Sequence, residues 1–104
     1  MYAPSEMHTI VWRYRVEPRA RAAFEEHYRA DGAWARLFRQ APGYQGTDLF
    51  RDASDGDVYL TLDHWTDAGA FHAFEASHAE AYAGLDRRCE GLTLQEERLG
   101  AMST

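Results

Sequence analysis

Residues 44–65 read "YQGTDLFRDASDGDVYLTLDHW". Two runs rich in aliphatic, β-branched and aromatic residues flank "ASDG", residues 53–56, whose small and acidic side chains favour a chain reversal. The stretch therefore predicts a hairpin, with strands over 44–52 and 57–65. In the second strand Val58, Leu60 and Leu62 fall on one face, and Tyr59, Thr61, Asp63 and Trp65 on the other. Both faces carry large residues, so both are expected to be covered. Gly46 inside the first strand marks a bulge or a close backbone approach.

The flanks complete the pattern. Residues 7–16, "MHTIVWRYRV", alternate as a strand with Ile10, Trp12, Tyr14 and Val16 on one face. Pro18 suits a helix start, because its missing N–H would go unpaired there anyway. Ala20, Ala23, Phe24, His27 and Tyr28 then follow helical spacing, and Trp34, Leu37 and Phe38 resume it after Gly32, where a kink or break is expected. Pro42 and Gly43 stop that helix. Beyond the hairpin, Thr66 or Asp67 can cap a second helix whose apolar stripe is Phe71, Phe74, His78, Ala81 or Tyr82, and Leu85. A short fourth strand is expected over 92–100, with a frayed end. The order is β-α-β-β-α-β, the arrangement of a ferredoxin-like α+β domain, here one domain over residues 1–104. Its four-stranded antiparallel sheet carries helices on one face only, and the apolar residues on the other face call for a second sheet as cover.

Composition narrows the function classes. The 104 residues carry a formal net charge of −6, and all eleven basic residues are arginine. An acidic chain without a basic face does not suit nucleic acid, which requires phosphate neutralisation. No polybasic run suits an anionic membrane, and no apolar run approaches the roughly 18 residues that would span one. Cys89 is the single cysteine, so no intramolecular disulfide is possible. The opening residues lack a leader pattern. These features lead us to expect a cytoplasmic protein.

The pattern "YRVEPRARAAFEEHY" through "GAWARLFRQAPGYQGTDLFRD" and "VYLTLDHWTD" to "LDRRCEGLT" resembles the antibiotic biosynthesis monooxygenase family of the dimeric α+β barrel superfamily. The likeness runs from about residue 8 to residue 100 and is carried by element order, the strand-ending "HW" and the "APGYQGT" turn. It implies a homodimer whose sheets pack face to face, each subunit keeping a cavity between sheet and helices. It also implies chemistry without metal or cofactor, in which oxygen reacts with the anion of an electron-rich aromatic substrate. The protein then binds the substrate, removes a proton and stabilises the anion. Haem-degrading members resemble one another in an Asn on the first strand, a helical Trp and a His ten residues later. This chain contains no Asn, and Phe74 and Gly84 stand at the other two positions. The site Asn shared by the cofactor-free oxygenases is missing as well.

Several residues stand out as site candidates. His78 lies in the apolar helix stripe, either as a packed helix-edge histidine or as a catalytic base in the cavity. His64 shares a face with Leu60 and Leu62, either as an interface histidine or as a catalytic donor to a substrate oxygen. His72 and His78 are six residues apart and would point about 120° away from each other on a helix, so a shared metal site is not expected. Asp63 is read as a structural ion pair with an arginine such as Arg13 or Arg51, ahead of a role as an acid–base group. Trp12, Tyr14, Tyr28, Trp34, Phe38, Phe71 and Phe74 could line a pocket for a flat aromatic ligand, or simply form the core. Cys89 is read as a buried, inert thiol. The functional expectation is a cofactor-independent monooxygenase acting on an aromatic or polyketide-type small molecule. Its rival is a non-catalytic ligand-binding or structural dimer of the same fold.

Overall fold

The computed structural model describes residues 7–104. Its elements run β1 (His8–Val16), a 3-10 turn (Pro18–Ala20), α1 (Arg21–Tyr28), α2 (Ala33–Phe38), β2 (Tyr44–Arg51), β3 (Val58–Trp65), α3 (Ala68–Ser77), α4 (Ala79–Arg88) and β4 (Thr93–Ser103). The four strands form one antiparallel sheet in the order β2-β3-β1-β4, and the fold is the ferredoxin-like α+β arrangement.

Register decides what faces the helices. Trp12 sits opposite Thr61, Tyr14 opposite Tyr59 and Ile10 opposite Asp63, so the inward residues of the two central strands stand side by side. Helices α1 and α2 lay Phe24, Tyr28, Trp34, Leu37 and Phe38 on this face, and α3 adds Phe71 and Phe74. Val16, Phe24 and Trp65 are wholly buried. Phe24 stacks on Tyr28 at 4.2 Å, and Phe38 meets Phe74 edge-on at 5.1 Å, an offset geometry that the ring quadrupoles favour.

The expected breaks have local causes. Glu17 caps the 3-10 turn through the Arg19 N–H at 2.8 Å, with Pro18 at the first position. Gly32 separates α1 from α2, and a Cβ there would lie 2.6 Å from the carbonyl oxygens of Glu26 and His27. Both neighbours are backbone and have little room to give. Gly32→Ala should therefore lower stability by about 1–3 kcal/mol, as overpacking does. Thermal unfolding checks this, and an unchanged midpoint would show that the α1–α2 link can move aside. Gly46 has φ +122° where the β2–β3 register slips between Tyr44 and Gly46, which is the bulge expected from the sequence.

Three expectations need correction. The second helix is not continuous: His78 adopts φ −122° and ψ 23° and divides it into α3 and α4. Its N–H donates to the Phe74 carbonyl and its carbonyl accepts from the Tyr82 N–H, both at 2.9 Å, so the backbone bonding survives the bend. Asp67 caps α3 through the Ala70 N–H at 2.8 Å. β4 is longer than expected, because Ala101, Met102 and Ser103 pair with Ile10, Thr9 and His8. Among the described residues Asp63 makes no arginine pair: Arg51 donates instead to the Gly56 carbonyl at 2.9 Å, and Arg13 lies on the outer face opposite Leu60.

The sheet's outer face carries Val11, Leu60 and Leu62, half-buried, with Phe50, Leu99 and Met102 exposed around them. No described helix is long and apolar enough to cross a membrane.

Candidate functional site

Between the inner sheet face and the helices lies a cavity of about 420 Å³. That volume falls within the range of small-molecule sites. β1 contributes Trp12 and Tyr14, α1 Tyr28, α2 Trp34 and Phe38, and β2 Thr47. β3 contributes Thr61 and Asp63, α4 Tyr82 and Asp86, and β4 Glu96. Flat aromatic walls thus surround a small set of hydroxyls and carboxylates.

Asp63 reaches this cavity because it alternates with Thr61 and Trp65 on the inward face. Its Oδ1 accepts from the Thr47 hydroxyl at 2.7 Å. Thr47 spends its only proton there, so Tyr44, 2.5 Å away, must donate its own to Thr47. A hydrogen-bonded row Tyr44–Thr47–Asp63 results, and it fixes the carboxylate's orientation. The row leaves Asp63 Oδ2 without a protein partner among the described residues. Burial pushes the Asp63 carboxyl up to about 6, against the Thr47 hydrogen bond and the neighbouring His64, which both favour the anion. A carboxylate of this kind takes up a proton near neutral pH more readily than one in water.

The phenols of the cavity are held in their neutral form. Burial raises Tyr14 well above its ordinary value; the nearby Thr61 hydroxyl opposes this, and Asp63 and Glu96 add to it. Tyr28 is raised too, by burial first. Tyr82 is pushed up to about 12 by burial and then by Asp86, Asp63 and Glu96. These groups remain O–H donors at any physiological pH. Thr61 Oγ1 is almost fully buried beside the Tyr14 phenol, with no other polar partner among the described residues.

The structure brings five of the seven expected aromatic residues, Trp12, Tyr14, Tyr28, Trp34 and Phe38, into one lining. Phe71 and Phe74 lie behind it, packed on Trp65 at 5.7 and 5.3 Å, with the Arg98 guanidinium 5.8 Å from the Phe71 ring. Neither histidine singled out from the sequence lines the cavity. His64 is on the outer sheet face, bonded at 2.9 Å to both Thr9 Oγ1 and Asp48 Oδ2. His78 sits at the α3–α4 bend, stacked on Phe74 at 5.0 Å and bonded to Ser77 Oγ at 2.9 Å. It borders a shallow groove with Pro42, Thr66 and Ala70. His72 is exposed and pairs with Glu75 at 3.2 Å. Cys89 is buried, and burial raises its thiol. From the sequence, Asp63 is assigned to an ion pair ahead of an acid–base role, and Tyr82, Asp86 and Glu96 are not picked out as lining residues. One signal for Asp63 was present: a carboxylate sharing a strand face with Tyr59, Thr61 and Trp65.

Fold and site together define a ferredoxin-like α+β domain with a ligand-sized aromatic cavity beneath its sheet. The pattern of one such family, antibiotic biosynthesis monooxygenase, matches residues 7–83. That is most of the chain, and the chain belongs to this family. No curated protein matches the sequence. Among solved structures, PA3566 from Pseudomonas aeruginosa is 19% identical with a TM-score of 0.73, over 99% of this chain and 98% of that one. SnoaB, a cofactor-independent oxygenase from Streptomyces nogalater, is 20% identical with a TM-score of 0.71, over 95% and 93%. Rv0793 from Mycobacterium tuberculosis is 18% identical with a TM-score of 0.65, over 94% and 90%. At these identities the likeness is one of fold.

Proposed function

We propose that this protein is a cofactor-independent monooxygenase acting on a flat aromatic or polyketide-type small molecule. The observation that carries the reading is Asp63, a half-buried carboxylate in the lining of an aromatic-walled cavity, with one oxygen not bonded to a described residue. In this reading Trp12, Trp34 and Phe38 hold the rings, and Asp63 removes an acidic proton from the substrate. The base is Asp63 rather than His78 or His64, because a base must come within hydrogen-bond reach of the proton it takes.

Charge argues for this division of labour. Proton transfer neutralises Asp63 as the substrate becomes an anion, so the net charge of the cavity does not change. The neutral phenols Tyr14, Tyr28 and Tyr82 can then donate to the anionic oxygen without reorganisation. Where the substrate carries a methylene between aromatic rings, O2 adds to the resulting carbanion. One oxygen atom ends as the carbonyl and the other leaves as water. The substrate supplies all four electrons, so no external reductant is required.

We also propose that the outer sheet face joins two copies in a homodimer, as its apolar surface suggests.

Oxygen uptake by the metal-stripped protein, with anthrones and hydroquinones and with autoxidation subtracted, tests the activity. The base must be ionised, so kcat/KM should rise about tenfold per pH unit below about pH 6 and level off above it. A profile flat from pH 5 to 8 would remove Asp63 as the base. No uptake with any substrate at any pH would sink the oxygenase reading and turn the case towards a binding protein.

A further inference from the structure

The charge of the cavity says more about its ligand than its shape does. Its lining contains three carboxylates, Asp63, Asp86 and Glu96, and no arginine, lysine or histidine. They come from β3, α4 and β4, so no single element brings them together by accident of spacing. They also act on the same groups. All three raise the Tyr82 phenol after burial does, and Asp86 raises Glu96 after burial does. Asp63 is half-buried, and Asp86 and Glu96 are exposed at the edge of the cavity. Like charges facing one cavity repel, and none of the lining residues is a cation.

A metal ion is not the natural counter-charge. Among the described residues no group of three or more His, Cys, Asp or Glu side chains is arranged to hold one. The walls point to an organic cation instead. Trp12, Trp34, Tyr28 and Tyr82 are among its walls, and a cation placed over an aromatic ring face is attracted by the ring quadrupole. Thr61 also belongs to the lining, its hydroxyl almost fully buried beside the Tyr14 phenol and with no other polar partner among the described residues.

We infer that the ligand of this cavity is a flat aromatic molecule bearing a protonated amine, its rings against Trp12 and Trp34 and its ammonium towards Asp86 and Glu96. The inference rests on the reading of the cavity as the substrate site, and it names the substrate class. It also completes the charge argument. With no protein cation in the lining, the ammonium of the substrate itself offsets the anion that forms beside it. An anionic substrate, such as an aromatic carboxylate, would add a negative charge beside these three and should bind more weakly.

The test is a matched set on one ring system: aminomethyl-, hydroxymethyl- and carboxy-anthracene, titrated into the full chain at pH 7.5 with tryptophan fluorescence or calorimetry. The ammonium should bind at least about tenfold more tightly than the neutral alcohol, and the carboxylate more weakly than either. In the Asp86→Asn/Glu96→Gln variant the ratio of amine to alcohol affinity should fall several-fold, Asp63 and the rings accounting for what remains. Circular dichroism of the same sample shows whether that variant is folded. Glu96→Gln alone gives a second reading, with a partial fall in the ratio. Equal binding of amine and alcohol to the wild-type protein would overturn the inference while leaving an aromatic-binding cavity intact. If none of the three binds, the inference fails together with the cavity reading beneath it.

Discussion

At pH 8 the Asp63→Asn variant should be more stable than the wild-type protein by about 1–3 kcal/mol, and at pH 4 the two should be nearly equal. The same variant should consume oxygen at least about 100-fold more slowly, because an amide cannot accept the substrate's proton. The stability claim follows from linkage. In the unfolded chain the Asp63 carboxyl titrates near its ordinary 3.8, and in the folded protein near 6. Below the lower value both states hold the proton, so a neutral acid and a neutral amide are equivalent. Above the upper value both have lost it, and the folded state bears the full cost of a carboxylate in an apolar wall. The separation corresponds to about 3 kcal/mol, reduced to the extent that Asp63 is reached by water through the cavity. Asn can still accept from Thr47, so the row from Tyr44 is preserved. Urea titrations at the two pH values decide the matter. A gain of equal size at pH 4 would mean that charge is not the cause. A loss at both would mean that the row needs a carboxylate to hold its geometry.

A residue that lowers stability while serving a reaction is the usual mark of a site, and such residues are hard to read from a sequence. The strand pattern assigned Asp63 to the inward face correctly, since period-two alternation is a local property. What faces it across the fold is not local. In a chain whose eleven basic residues are all arginine, an ion pair was the natural reading. Only the register and the placement of α4 and β4 show hydroxyls and further acids in front of Asp63 instead. Tyr82, Asp86 and Glu96 were illegible for the same reason: each joins the cavity through contacts far apart in sequence. His78 is a different case. Helical spacing put it in line with Phe71 and Phe74, but that reasoning presumes an unbroken helix. The bend at His78 turns its ring onto Phe74 and away from the cavity lining. The hairpin, the Gly32 break and the Gly46 bulge were all legible, because each depends on residues within a few positions of one another.

Leu62→Asp should convert the protein from a dimer to a folded monomer, and Leu60→Asp should do so less completely. The outer face gathers apolar side chains from all four strands: Val11 on β1, Phe50 on β2, Leu60 and Leu62 on β3, and Leu99 and Met102 on β4. Half or more of the surface of Phe50 and Met102 is open in the single chain, at 53% and 50%. An outer sheet face that gathers apolar side chains from every strand is covered in stable proteins, and a second copy covers it with its own equivalent. A carboxylate placed at such a contact loses its hydration without gaining a partner, which costs several kcal/mol. The two positions differ in their neighbours. Leu62 lies opposite Asp48, so a new carboxylate there meets one already present. Leu60 lies opposite Arg13, which can pair with the new charge and soften its effect. Light scattering at micromolar concentration should give about twice the chain mass for the wild type and the single chain mass for Leu62→Asp. The inner core does not include either leucine, so circular dichroism should remain that of a folded α+β protein. A wild-type protein already monomeric at that concentration would sink the dimer. A Leu62→Asp variant still dimeric would place the contact on another surface. Equal effects at the two leucines would show that Arg13 is already engaged across the interface.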